Sequence, residues 1–443
     1  MRTVLSLLCV LALRVPMATA QSSAPPSLSL AEAVRRGLGA APGVVAARAE
    51  VHQAEARQRE TRSALLPSLD AGASYVNRTY NIHTFGIEFP AAPGEPFPDL
   101  VGPFGVADAR AFLHQSLFDY AASARVRSRG GAIDVSRADE AVTREKSAEI
   151  IAVAYVRAVR AAALVAARTA DVELARQLAD LAQLQLDAGV SAGIDVTRAR
   201  TQLTGARALL LIAENDASRA GIELAHAMGQ DPATRFVFSD TLSVAMVHSD
   251  APEARETALA SARVRRPDLE RERATAQLAT LEKSAVRAER LPSVSLEGDF
   301  GISGPTFQDG IATRQLALAF SLPLFDGLRR ESRIAEQDAV IDAANARQHD
   351  VELQLAAEVE EALLDIESAA GQEQVALEGL TLADAEVSQA RERFEGGIAG
   401  NIEVINAQSS LIRARTAVIE ARATGAIARV RLARATGTAA TIR

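Results

Sequence analysis

Between Gly189 and Gly229 an apolar or small residue recurs at alternating steps of three and four, and the pattern returns 208 positions later, between Gly397 and Gly437. The first copy reads Val196, Ala199, Leu203, Ala206, Leu210, Ala213, Ala217, Ala220, Leu224, Ala227. The second reads Val404, Ala407, Leu411, Ala414, Val418, Ala421, Gly425, Ala428, Leu432, Ala435. Three-four spacing is the seam of a coiled coil, and large residues match large ones between the copies. A glycine-containing turn precedes each seam. The turns are Asp187-Ala188-Gly189-Val190 with Gly193-Ile194-Asp195-Val196, and Glu395-Gly396-Gly397-Ile398 with Asn401-Ile402-Glu403-Val404. The chain is therefore a duplication whose turns are matched tips, and it is restricted to a long, repeated helical architecture.

Aromatic residues make up 4% of the chain and Trp is absent, which leaves little to fill a conventional core. The formal charge of −8 comes without a basic patch interleaved with aromatics, which argues against nucleic acid as a partner. Met1 to Ala20 carries Arg2, an apolar run from Val4 to Leu13 and the ending Ala18-Thr19-Ala20. This is the form of a secretory signal peptide cleaved before Gln21. Loss of Arg2 and Arg14 moves the charge from −8 to about −10. Cys9, the only cysteine, lies within the signal. A disulfide, a cysteine-held metal and a lipidated cysteine at the cleavage site are thus all unexpected. No later segment is an unbroken apolar run of about eighteen residues. An exported chain of this kind is free outside the cytoplasm or inserted as a barrel.

In chain order, residues 21–29 form a flexible leader and residues 30–229 a first repeat. A linker follows at 230–252, a second repeat at 253–437 and a tail at 438–443. Pro42 opens a helix stopped at Leu66-Pro67-Ser68, and Pro267 opens another stopped at Leu291-Pro292-Ser293. The period then changes to two. In strand 293–303, Val294, Leu296, Phe300 and Ile302 share a face; in strand 313–325, so do Leu316, Leu318, Phe320, Leu322 and Leu324. Strands 68–80 and 106–118 hold the equivalent places with weaker alternation. Both pairs end on Leu-Phe-Asp, at Leu117-Phe118-Asp119 and Leu324-Phe325-Asp326. A proline-free run then leads to each tip, Tyr120 to Ala188 and Gly327 to Glu395. As continuous helix each run is on the order of 100 Å long, so one long helix packs antiparallel against two shorter ones in series.

Four strands of about eleven residues have the length to cross a membrane but are too few to close a barrel. Open edges cannot face lipid, so other copies must complete it, and three copies give twelve strands. Leu316, Leu318, Phe320 and Leu322 are then the lipid-facing residues of one strand. The fold class is mainly α with a β membrane part: a duplicated helix-strand-strand-helix-helix unit, a long coiled-coil helical barrel, and four strands per chain contributing to a β-barrel that is trimeric and twelve-stranded if three copies close it.

The duplicated Leu-Pro-Ser strands, Leu-Phe-Asp ends, tip motifs and Ala/Leu seams resemble the TolC-type outer-membrane efflux protein family over essentially the whole mature chain. The resemblance implies a homotrimeric channel in the outer membrane of a Gram-negative bacterium, most of it periplasmic. Its tips would dock on a periplasmic adaptor linked to an inner-membrane pump. It implies that Gly189, Val190, Ser191, Gly397, Ile398 and Ala399 meet the adaptor, and that Asp195 and Glu403 ring the periplasmic aperture. Asn406 stands where some members carry a second acid, and Ala399 where some carry a basic latch. Carboxylates repeated around a constriction favour cations. An acid at a helix start is also explained by the macrodipole alone.

No enzyme motif is present, the six histidines form no i, i+4 pair, and no cofactor or intrachain metal is expected. Small-molecule efflux is the leading expectation. Protein secretion of type I and an exported coiled coil without a pore are the alternatives.

Overall fold

The computed structural model describes residues 27–86 and 99–442. The signal peptide and most of the expected leader therefore lie outside the described residues. The end of the leader does not: Ser27–Leu28 (β1) pairs in parallel with Val237–Phe238 (β4) of the linker. Leu28 is buried there, and Tyr155 donates its hydroxyl hydrogen to the Leu28 carbonyl at 2.7 Å. Burial and this bond hold Leu28 in place at the end of a leader expected to be flexible.

Each repeat contributes a short helix, a helix opened by proline, two strands, a very long helix and a seam helix. In the first repeat the helices are α1 (Leu30–Ala40), α2 (Pro42–Ser63), α3 (Tyr120–Asp187) and α4 (Gly193–Ala227). In the second they are α5 (Arg255–Arg265), α6 (Pro267–Ala288), α7 (Arg329–Glu395) and α8 (Asn401–Ala435). The long helices hold 68 and 67 residues, and both seam helices hold 35.

All four helices that run to or from a tip end alike. Val190 donates its N–H to the Gln185 carbonyl and Gly189 to that of Leu186, both at 2.9 Å. The same pair of bonds, with glycine at positive φ, recurs at Gly229, Gly397 and Gly437. This arrangement satisfies the last carbonyls of a helix and needs a left-handed residue, which glycine adopts without strain. Beyond α4, Gly229 lies against the Ala40 carbonyl, where α1 bends into α2 at Pro42. Beyond α8, Gly437 lies against the Arg265 carbonyl, where α5 bends into α6 at Pro267. The seam helix and the proline-opened helix are thus stacked in series beside each long helix. The repeats also interlock, because α6 packs against both α3 and α7.

Helix α3 is long and apolar enough to cross a membrane by length and composition. Its Ile151, Ala152, Tyr155, Val156 and Val159 are instead buried in a core at mid-height, with Leu30, Val34, Leu224, Met228, Ala426 and Val430.

The strands form one antiparallel sheet in the order β2-β3-β5-β6, comprising Ser68–Asn81, Leu100–Asp119, Ser293–Gly304 and Ile311–Ser321. Strand β3 begins six residues before the expected position 106. Strand β6 ends four residues before the expected 325, and this corrects the placement of Leu322. That residue lies just past the strand, ahead of Pro323, which has no N–H to extend the ladder.

Candidate functional site

Two regions carry the functional geometry: the sheet and the tips. The register resolves the sheet into two faces. One holds Leu69, Ala71, Ala73 and Tyr75 on β2 and Ala107, Ala109, Ala111 and Leu113 on β3. It continues with Val294, Leu296, Phe300 and Ile302 on β5 and Leu316, Leu318 and Phe320 on β6. Gln115 and Arg314 interrupt it. Leu316, Leu318 and Phe320 are 74%, 68% and 67% exposed, values that describe an apolar surface with nothing against it in the single chain.

The opposite face carries Asp70, Asp108, Arg110, His114, Glu297 and Asp299. Arg110 donates to Asp108 at 2.7 Å on its own strand and to Asp299 at 2.8 Å across to β5. Its cross-strand neighbours are Gly72 and Gly301, and a side chain at Gly301 would collide with it. Glycine at 301 lets the main chain of β5 approach Arg110 closely at the junction of the two repeats. Among the described residues, the outer strands β2 and β6 each leave one edge unpaired.

At the far end of the helices, the two turns present the same apolar residue to solvent: Val190 and Ile398 are both 74% exposed. Gly189 and Gly397 have open space where a side chain would sit. Ser191 turns back, donating its hydroxyl hydrogen to Asp195 at 3.1 Å, while Ala399 offers only its methyl group.

The two tip acids have different surroundings. The Asp195 side chain is 16% exposed, with the Arg198 guanidinium 3.8 Å away, whereas that of Glu403 is 47% exposed and accepts from Arg393 at 3.1 Å. Asn406 is exposed one turn beyond Glu403. Each acid thus has a cation within its own hairpin.

Three groups escaped the sequence reading. Asn401, fully buried, donates its amide to the Asp195 carbonyl at 2.6 Å. Gln185 donates to the Phe394 carbonyl at 3.1 Å. Asp171, its side chain 3% exposed, accepts from Arg168 at 3.0 Å and from Arg415 at 2.9 Å. For Asn401 a signal existed, since the repeat offset pairs it with Gly193, a polar side chain where the first copy has none. No group of three or more potential metal-ligating His, Cys, Asp or Glu side chains occurs among the described residues.

The fold that joins this sheet to two matched helical tips is also found in known proteins. The structure aligns with the outer membrane channel CmeC of Campylobacter jejuni at a TM-score of 0.74 and 18% identity, covering 92% of this chain and 85% of that one. By sequence, the chain is 31% identical to protein CyaE of Bordetella pertussis over 307 residues, 68% of this chain and 64% of CyaE. It is 26% identical to the fusaric acid resistance protein FusA of Burkholderia cepacia over 303 residues, 66% of this chain and 54% of FusA. The matches thus span less than two thirds of either relative. Residues 34–230 and 258–438, the two repeats, each match the outer membrane efflux protein family. The chain belongs to the outer membrane efflux protein family, with the mainly helical, part-β fold of its channels and a place in the outer membrane of a Gram-negative bacterium.

Proposed function

We propose that this chain is one of three subunits of a passive outer-membrane conduit, fed through a periplasmic adaptor by an inner-membrane pump and serving small-molecule efflux. The observation that carries the reading is the two-faced, open-edged sheet. It has one apolar face, one charged face, and free edges at β2 and β6 that lipid cannot satisfy. Three copies joined edge to edge would close twelve strands, with lipid outside and Asp70, Arg110, Glu297 and Asp299 lining a wet interior.

The tips would meet the adaptor through Gly189, Val190, Ser191, Gly397, Ile398 and Ala399. Two apolar side chains at equal exposure on matched turns form a repeated contact suited to helical partners. Asp195, Glu403 and Asn406 would stand at the aperture, where Glu403, the more exposed acid, carries most of the field. The likeness to a protein of fusaric acid resistance supports small organic cargo, with protein secretion of type I as the alternative.

The test uses the absence of cysteine outside the signal. A photocrosslinker attached to Ser191→Cys in cells expressing the native operon is expected to capture a periplasmic adaptor, and the pump that this adaptor serves distinguishes small-molecule from protein export. Full outer-membrane assembly without adaptor capture would remove the tripartite reading.

A further inference from the structure

Two polar side chains interrupt the apolar face of the sheet, and only one of them is satisfied within the chain. Gln115 donates its amide to the Leu65 carbonyl at 3.1 Å and to that of Ser116 at 2.6 Å. Arg314, the fourth residue of β6, is exposed and forms no hydrogen bond or ion pair with another of the described residues. It stands opposite Phe300 of β5, itself 64% exposed, while the carboxylates of Asp70, Glu297 and Asp299 lie on the other face. Among the described residues no other charged side chain shares the apolar face. Closing the barrel supplies no partner either. Strand β6 would then lie beside β2 of the next copy, whose outward side chains Leu69, Ala71, Ala73 and Tyr75 include no acid.

The depth of Arg314 explains how a cation is tolerated there. Leu318 is four residues away along β6, about 14 Å at ~3.4 Å per residue, or roughly 10 Å in height for a strand tilted by about 40°. In an apolar band about 25 Å tall, Leu318 near the midplane puts Arg314 close to the boundary. That boundary is on the side of the β5–β6 turn and away from the helices. A charge is costly at the midplane of such a band and far less so at its edge. With the helices in the periplasm, this edge is the outer one.

We propose that Arg314 is a binding site for a phosphate on the headgroup of lipid A, the lipid of the outer leaflet, with one site per chain. The inference rests on the trimeric conduit reading, which sets the apolar face against lipid. A guanidinium offers planar, paired donors that match two phosphate oxygens. Its apolar stem lies along the barrel while the charged end reaches the headgroups, and a cation at this level is drawn to anionic lipid. The phospholipids of the inner leaflet meet the opposite edge, beyond Phe320, where β6 has no outward cation. Because β6 is the strand at the joint between copies, the bound lipid would cover that seam.

Native mass spectrometry of detergent-purified, full-length trimers mixed with bisphosphorylated lipid A or with its dephosphorylated form tests the site. The expected result is several-fold tighter binding of the phosphorylated form by the wild type, a preference kept in part by Arg314→Lys and lost in Arg314→Gln. Equal binding of the two forms by the wild type would overturn the inference, with no variant needed. An undiminished preference in Arg314→Gln would overturn it too, as would wild-type trimers that bind phosphatidylglycerol more tightly than bisphosphorylated lipid A. Planar-bilayer recording of the same trimers separates the two readings. Trimers that pass current but do not discriminate between the lipids defeat this inference alone, whereas a wild type without current defeats the conduit reading on which it rests.

Discussion

Gly229 and Gly437 share a left-handed φ with Gly189 and Gly397 but not their surroundings. A β-carbon at Gly437 would stand 2.7 Å from the Arg265 carbonyl oxygen, while at Gly397 it would meet nothing within 4 Å. Gly397→Ala should therefore cost only the backbone term, about 1 to 2 kcal/mol. Gly437→Ala should cost clearly more, because the α5–α6 bend must also shift. Thermal unfolding of the detergent-solubilised protein ranks the two. Glu145 gives a pH prediction. Burial raises its carboxyl above the usual range, against the opposing N–H groups of Ala440 and Ala439 and the Arg434 and Arg266 guanidiniums. A proton thus binds more tightly in the folded chain. Its stabilising contribution is full below the ordinary glutamate range and is lost as pH rises through the raised value. Glu145→Gln should remove that dependence from an unfolding series across this window. At this scale the sequence was legible where a residue type answers a backbone need, as at the four tip and seam glycines. It was not legible for Gln185 and Asp171, whose roles depend on which helix lies opposite, and for Asn401 the repeat marked the position without its partner.

Among the elements, β5 and β6 were readable because large apolar residues alternate with polar ones. Strands β2 and β3 were readable only through the repeat, and the register explains why: their apolar face holds Ala71, Ala73, Ala107, Ala109 and Ala111, too small to stand out from the polar face. The start of β3 at Leu100 was missed because Gly102 and Pro103 read as loop, and the end of β6 was overrun because Leu322 and Leu324 keep the alternation after the ladder has stopped. The two faces predict opposite responses to one substitution. Leu318→Arg places a charge on the lipid side, at about 2 to 4 kcal/mol near the bilayer midplane, and should sharply reduce assembled protein in outer-membrane fractions. Thr313→Arg, on the polar face, should assemble normally. Equal assembly of both would reverse the assignment of the faces.

For the whole molecule, the duplication foretold two equivalent halves with one long helix beside two in series. It did not reveal that α6 wedges between α3 and α7, or that β3 and β5 join the repeats through Arg110, since neither contact leaves a local period. The ion cluster at Asp171 also bridges the halves. Asp171→Ala would leave Arg168 and Arg415 without their shared carboxylate and should lower stability by about 1.5 to 3 kcal/mol, read as an earlier unfolding transition of the purified protein. In the proposed conduit, three open sheets close into one water-filled barrel continued by the helices. Ion conductance of the full-length wild-type protein, purified from outer membranes and inserted into a planar lipid bilayer, tests it most directly. Discrete conductance steps are expected, with a preference for cations that weakens in the double variant Asp195→Ala, Glu403→Ala. Stably inserted protein that passes no current under any applied voltage would contradict it.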